Sequence, residues 1–171
     1  MKLLLKILAR SIIILSTALL SMPIFADNIY SIYLVRHAEK QKDSDNPALT
    51  SCGRLRARQL ATVLSGVELK AIYSTSTQRT MATAQPISQI KKLAIKNYSA
   101  NNLVQLAFSL KQLKQSALVV GHSNTTPHLV ELLTEDKVLA IEEHQYQQLY
   151  QVQFFGDEVK LTLLKQPLIC R

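Results

Sequence analysis

Four basic side chains sit in three short runs that could do chemistry together. Arg36 and His37 lie in Leu34-Val35-Arg36-His37-Ala38, Arg79 ends Ser74-Thr75-Ser76-Thr77-Gln78-Arg79, and His122 lies in Gly121-His122-Ser123-Asn124. Gathered in a small volume, such groups repel one another as cations unless an anion sits among them. Phosphate suits them, because guanidinium forks match its oxygens bidentately. Helix starts after Thr77 and Ser123 would add backbone N–H groups and a favourable dipole. Histidine titrates near pH 6.5 when unperturbed, and surrounding positive charge lowers that value, so a lone pair stays available to attack phosphorus. His37 is the candidate nucleophile. Arg36, Arg79, His122 and Asn124 are candidates for holding the phosphate.

The elements that must position these residues follow from hydrophobic periodicity. Apolar, β-rich runs predict strands over 30–35, 69–73, 94–98 and 116–121, the last a continuous apolar run suited to burial on both faces. Helical spacing predicts helices over 53–65, 77–91, 101–114 and 125–133, with Asn101 or Asn102 as a cap and Pro86 as a kink or a new turn. Alternation over 148–155 and 158–164 around Gly156-Asp157 predicts a terminal hairpin. Strand–helix alternation of this kind specifies an α/β fold, a three-layer α/β/α sandwich with a mostly parallel central sheet and a C-terminal antiparallel hairpin. Each of the three basic runs follows a strand. Ligands of open α/β sheets bind outside the carboxyl ends of the strands, so the four groups are expected at one edge.

The first 26 residues are read as a secretory signal peptide. Lys2, Lys6 and Arg10 precede an apolar stretch that ends in Pro23, and Ala26 is the expected last residue before cleavage. Residues 27–171 are then one domain, secreted and expected in the periplasm, with no membrane association after cleavage. The formal charge of +8 includes those three leader cations. The remaining chain is mildly basic, without the clustered basic and aromatic residues of a nucleic-acid surface. Arg54, Arg56 and Arg58 read as a solvated helix face, and His128 as a surface or half-buried helix residue. Export permits a disulfide between Cys52 and Cys170, which two cysteines alone do not establish. The four histidines show no metal-ligand spacing, so neither a metal nor a cofactor is expected.

Four motifs in order resemble the histidine phosphatase superfamily, the phosphoglycerate-mutase-like fold. They are Leu34-Val35-Arg36-His37-Ala38-Glu39-Lys40, Leu49-Thr50 with Gly53, Tyr73-Ser74 with Arg79-Thr80 and Thr83-Ala84, and Val119-Val120-Gly121-His122-Ser123-Asn124-Thr125. The likeness spans nearly all of residues 30–164 and is greatest to small members without a cap insertion. It implies a phosphoric monoester hydrolase acting through a phosphohistidine on His37. Arg36 and Arg79 would bind the phosphoryl group, and His122 would stabilise its transition state.

One feature departs from the resemblance. Many relatives carry an acidic residue between the second arginine and the second histidine, where it protonates the leaving oxygen. Residues 70–130 contain no Asp or Glu. Glu39, two residues past His37, is the candidate donor, with Asp43, Asp45, Glu142, Glu143 and His144 as others. Glu39 reads equally as a solvated loop residue or a cap partner. The expected substrate is a phosphorylated small molecule or an envelope glycan. Two alternatives stand beside the phosphomonoesterase reading: a phosphohistidine phosphatase, which export disfavours, and a noncatalytic phosphate-binding module.

Overall fold

Strand β1 (Ile29–Arg36) is buried from its second residue to its last, because both of its faces are covered. Ile32 and Leu34 point to one side of the sheet, and Tyr33 and Val35 to the other, as the two-residue period of a strand requires. The computed structural model describes residues 29–42 and 44–168. The expected signal peptide, Asp43 and Cys170 lie outside the described residues. After β1 come α1 (Ser51–Val63), β2 (Ala71–Ser74), α2 (Gln78–Lys91), β3 (Ile95–Asn97), α3 (Leu103–Leu113), β4 (Ala117–Gly121), α4 (Thr125–Thr134), β5 (Gln148–Phe155) and β6 (Glu158–Lys165).

The six strands form one sheet in the order β3-β2-β4-β1-β5-β6. β3, β2, β4 and β1 run parallel, and the hairpin β5–β6 joins antiparallel to β1. This is the expected mostly parallel sheet with its terminal hairpin. One face packs Leu106, Ala107 and Leu110 of α3 and Leu129, Val130 and Leu133 of α4 against Ile32, Leu34, Ala117 and Val119. The other packs Leu60 and Ala61 of α1 and Ala84 and Ile87 of α2 against Val35, Ile72, Leu118 and Val120. Each leucine, isoleucine or valine among them, withdrawn fully from water, contributes roughly 1.5–3 kcal/mol. Among the described residues no helix is long and apolar enough to cross a membrane, and none of the cysteines is free.

Local structure departs from the expected elements in instructive ways. The second strand begins at Ala71 rather than at residue 69, and Pro86 sits within an unbroken helix span. Asn102 occupies the N-cap of α3 without a side-chain cap bond. Three helices end on left-handed residues that are not glycine: Lys92, Lys114 and Glu135, at φ of 55°, 47° and 66°. A side chain in that region costs about 1–2 kcal/mol, which the packed helices must offset.

The largest correction concerns Arg54, Arg56 and Arg58. They do not form a common solvated face. Arg56 is buried, and its guanidinium donates to both carboxylate oxygens of Glu39 at 2.6–2.9 Å. Arg54 instead donates to the Leu49 carbonyl. The helix turns Arg56 inward and away from Arg54 and Arg58, which stay exposed and lie four residues apart.

Candidate active site

β1 lies between β4 and β5, and β4 lies between β1 and β2. β1, β4 and β2 run parallel and therefore bring their carboxyl ends together, as the position of the motifs in sequence predicts. The register pairs Arg36 with Gly121 and Ser74 with Val120. The backbone N–H of His37 then donates to the Gly121 carbonyl at 2.9 Å, which extends the ladder one step past β1. His37 and His122 face each other with ring centroids 5.5 Å apart, edge toward face. Arg79 Nη2 stands 3.5 Å from His122 Nδ1. Arg36 and Arg79 both act on His37 and His122 as nearby positive charges.

His37 is buried, and its Nδ1 lies 2.8 Å from the carbonyl oxygen of Ala38. A carbonyl can only accept, so Nδ1 carries the hydrogen and Nε2 carries the lone pair. Burial lowers the His37 pKa to about 3, with Arg36, Arg79 and His122 adding to the effect against the opposing Ala38 bond. Burial likewise lowers His122 to about 4, with Arg79 and Arg36 contributing. Both rings are thus neutral near pH 7, and His37 presents an unprotonated nitrogen.

The loop that follows is tied down on two sides. Ala38 N–H donates to Thr83 Oγ1, and Thr83 Oγ1 donates to the Arg79 carbonyl, which couples the nucleophile loop to the first turns of α2. Gly53 packs against Glu39 so closely that a Cβ there would lie 2.2 Å from the Glu39 carbonyl oxygen. The Arg56 guanidinium holds the Glu39 carboxylate, whose two oxygens both act as acceptors. That geometry makes Glu39 an anchor of the loop.

On the opposite side, Arg36 is anchored by the segment before β5. Its Nη1 donates to the carbonyls of Glu142 and Glu143, each at 3.0 Å, and its Nη2 donates to Glu143 Oε2 at 3.0 Å. The ring of Tyr146 covers the guanidinium at 4.3 Å and approaches His37 at 6.2 Å. What remains is informative. The Nε–H of Arg36 and the Nε–H of Arg79 are both buried and have no protein acceptor. Buried donors are nearly always satisfied, and two unpaired guanidinium N–H groups beside two neutral imidazoles form a cradle for an anion.

His122 is oriented by neighbours that sequence reading passed over. Thr75 Oγ1 is 3.0 Å from His122 Nε2, and Thr75 Oγ1 also meets Thr80 Oγ1 at 2.9 Å. The His122 N–H donates to Thr125 Oγ1, so Thr125 rather than Asn124 secures the start of α4. Asn124 occupies the N-cap with an exposed side chain that makes no cap bond. Thr77 likewise caps α2 without a side-chain cap bond, its Oγ1 meeting Thr80 Oγ1 at 2.9 Å instead, and the Gln78 N–H donates to Asn46 Oδ1. Gly121 admits this crowding, since a Cβ there would lie 2.9 Å from the hydroxyls of Tyr98 and Thr125. His128 is exposed, as the sequence suggested. Thr75 and Tyr146 were illegible because a threonine at a strand end and a tyrosine in an irregular segment carry no spacing signal.

Comparison with curated proteins returns no match. Residues 32–100 match the family model of the histidine phosphatase superfamily (branch 1). Among solved structures, the chain is similar to a mycobacterial glucosyl-3-phosphoglycerate phosphatase, Rv2419c, at 11% identity and a TM-score of 0.65, over 80% of this chain and 98% of that one. It is similar to the alpha-ribazole phosphatase from Shigella flexneri at 14% identity and a TM-score of 0.66, over 80% and 96%. It is also similar to the protein histidine phosphatase SixA, solved with tungstate, at 15% identity and a TM-score of 0.64, over 80% and 97%. At these identities the likeness is one of fold. The matched family segment contains Arg36, His37 and Arg79, and the sheet adds His122 to them. The chain is thus similar to the histidine phosphatase superfamily over residues 32–100, and it shares the fold of these three phosphatases over about 80% of its length.

Proposed function

We propose that this protein is a metal-independent phosphatase that hydrolyses phosphate monoesters through a phosphohistidine on His37. One observation carries the reading: the unpaired buried Nε–H groups of Arg36 and Arg79 flank two neutral imidazoles. A phosphoryl dianion fills that arrangement, taking up both donors and balancing both guanidiniums. His37 Nε2 attacks phosphorus, and the P–O bond to the leaving group breaks. Water then attacks phospho-His37 and releases phosphate. The two guanidiniums supply the charge that stabilises the transferring group, so the step has an electrostatic source in the chain itself.

The substrate class in this reading is a phosphorylated small molecule or an envelope glycan. The protein acts in the periplasm or outside the cell, after cleavage near Ala26, a reading supported by the basic and apolar pattern of the first 26 residues. The test is hydrolysis of an aryl phosphate by the mature protein in EDTA. Turnover that is unchanged by EDTA and lost in His37→Ala is expected. Full activity in His37→Ala removes His37 from the mechanism, and activity restored only by added metal removes metal independence. Sequencing the N-terminus of protein recovered from the periplasmic fraction checks the cleavage site, with Asp27 expected first.

A further inference from the structure

The leaving oxygen of a phosphate monoester needs a proton, and the segment between Arg79 and His122 holds no carboxylate to give one. Glu39 has both oxygens on Arg56. Asp45 is exposed on the loop after the nucleophile, with no hydrogen bond or ion pair to the four basic groups. Among the described carboxylates, the one bonded to a phosphate-cradle residue is Glu143. Its Oε2 accepts from Arg36 Nη2 at 3.0 Å, and its side chain is 80% exposed.

The relation between Glu143 and Arg36 is specific in its geometry. A guanidinium offers Nε–H and one Nη–H as parallel donors, the fork that takes an anion bidentately. On Arg36 the Nη2 donor is occupied by Glu143, while the Nε donor is buried and unpaired. An oxygen of the substrate phosphate accepting from Nε would therefore lie beside the Glu143 carboxylate. That places the Glu143 carboxyl next to the group whose leaving oxygen needs the proton. The segment cannot drift away from the cradle, because the carbonyls of Glu142 and Glu143 are both bonded to Arg36 Nη1, and Tyr146 stacks over the same guanidinium.

We propose that Glu143 is the proton donor to the leaving oxygen and the base for the attacking water. This rests on the phosphatase reading above. In the first step the His37 Nε2–P bond forms as the P–O bond to the leaving group breaks. The electrons of that bond stay on the leaving oxygen, which takes the proton from the Glu143 carboxyl and departs as an alcohol. In the second step the Glu143 carboxylate takes a proton from water, whose oxygen bonds to phosphorus. The N–P electrons return to Nε2, and phosphate is released.

The test compares Glu143→Gln and Glu39→Gln with wild type on two esters, 4-nitrophenyl phosphate and glycerol 2-phosphate. The nitrophenolate departs without a proton, whereas the glycerol alkoxide does not. For Glu143→Gln, kcat on the alkyl ester is expected to fall about 100-fold or more, the scale of general acid catalysis, with a fall on the aryl ester of about 3-fold or less. Glu39→Gln is expected to change both esters by the same factor. An equal loss on both esters for Glu143→Gln, or no loss on either, overturns the Glu143 proposal and leaves the phosphatase reading intact. A selective loss on the alkyl ester in Glu39→Gln instead gives the role to Glu39 and also overturns it. Wild-type protein that hydrolyses neither ester overturns the phosphatase reading and this proposal together.

Discussion

Thr75 and His122 form a bonded pair at the edge of the sheet, with Oγ1 and Nε2 3.0 Å apart. Arg79 Nη2, on the other side of the ring, can only donate, so His122 Nδ1 accepts and Nε2–H donates to Thr75. Thr75 is buried and of almost the same shape as valine. Thr75→Val is expected to lower kcat about 10-fold, the worth of one hydrogen bond of about 1–1.5 kcal/mol, with KM changed less. Thr75→Ser should restore most of the rate. Steady-state kinetics on an aryl phosphate checks both.

The Ala38 carbonyl selects which nitrogen of His37 reacts. Because Nδ1 carries the hydrogen, the trapped intermediate should be phosphorylated on Nε2. NMR of enzyme labelled with 15N in histidine and quenched during turnover should show phosphorus coupled to Nε2. Coupling to Nδ1 would mean that the ring turns over before attack. His37→Asn should reduce kcat by at least about 1000-fold, as the loss of a nucleophile does elsewhere.

Stability should drain on the acid side of neutrality. The folded pKa values of His37 and His122, about 3 and about 4, lie below the unfolded value of about 6.5. Between those limits the unfolded chain binds protons that the folded chain does not. The contribution is therefore complete above about pH 6.5 and is lost as the pH falls toward 4. The Tm of the wild type should drop more between pH 7 and pH 5 than that of a His37→Asn, His122→Asn double variant. A parallel drop in the two proteins would place the loss in other groups.

The Glu39–Arg56 pair should behave as a buried ion pair rather than as a surface bridge. Arg56→Met leaves the half-enclosed Glu39 carboxylate without its partner and is expected to cost about 3–5 kcal/mol in a urea titration. Adding Glu39→Leu should recover a large part of that cost. A single-variant effect below about 1 kcal/mol would class the pair with exposed bridges.

Legibility differed by kind of residue. Arg36, His37, Arg79 and His122 could be read because each follows an apolar run, and parallel adjacent strands convert that position in sequence into a shared place in space. The alternating burial of Ile32, Tyr33, Leu34 and Val35 was likewise implicit in the strand period. Arg56 was misread because its partner lies 17 residues away across a loop, and no local pattern marks an arginine that turns inward. Thr75, Tyr146 and the bond from Glu143 to Arg36 depend on how the 142–146 segment and the β2–α2 turn fold back on the site. Periodicity carries no information about such returns.

The place of β1 in the middle of the sheet has a consequence for when activity can appear. His37 needs the Gly121 carbonyl, and Arg36 needs the carbonyls of residues 142 and 143, so the nucleophile is assembled by segments 84 to 107 residues further along the chain. Contacts of such long range form late, after the loop-closure entropy has been overcome. A nascent chain that has emerged as far as α3 therefore holds its reactive histidine without the strand that seats it. On the phosphatase reading, hydrolysis is expected only once β4 and β5 have flanked β1, so that catalytic competence would report on the assembly of the central sheet.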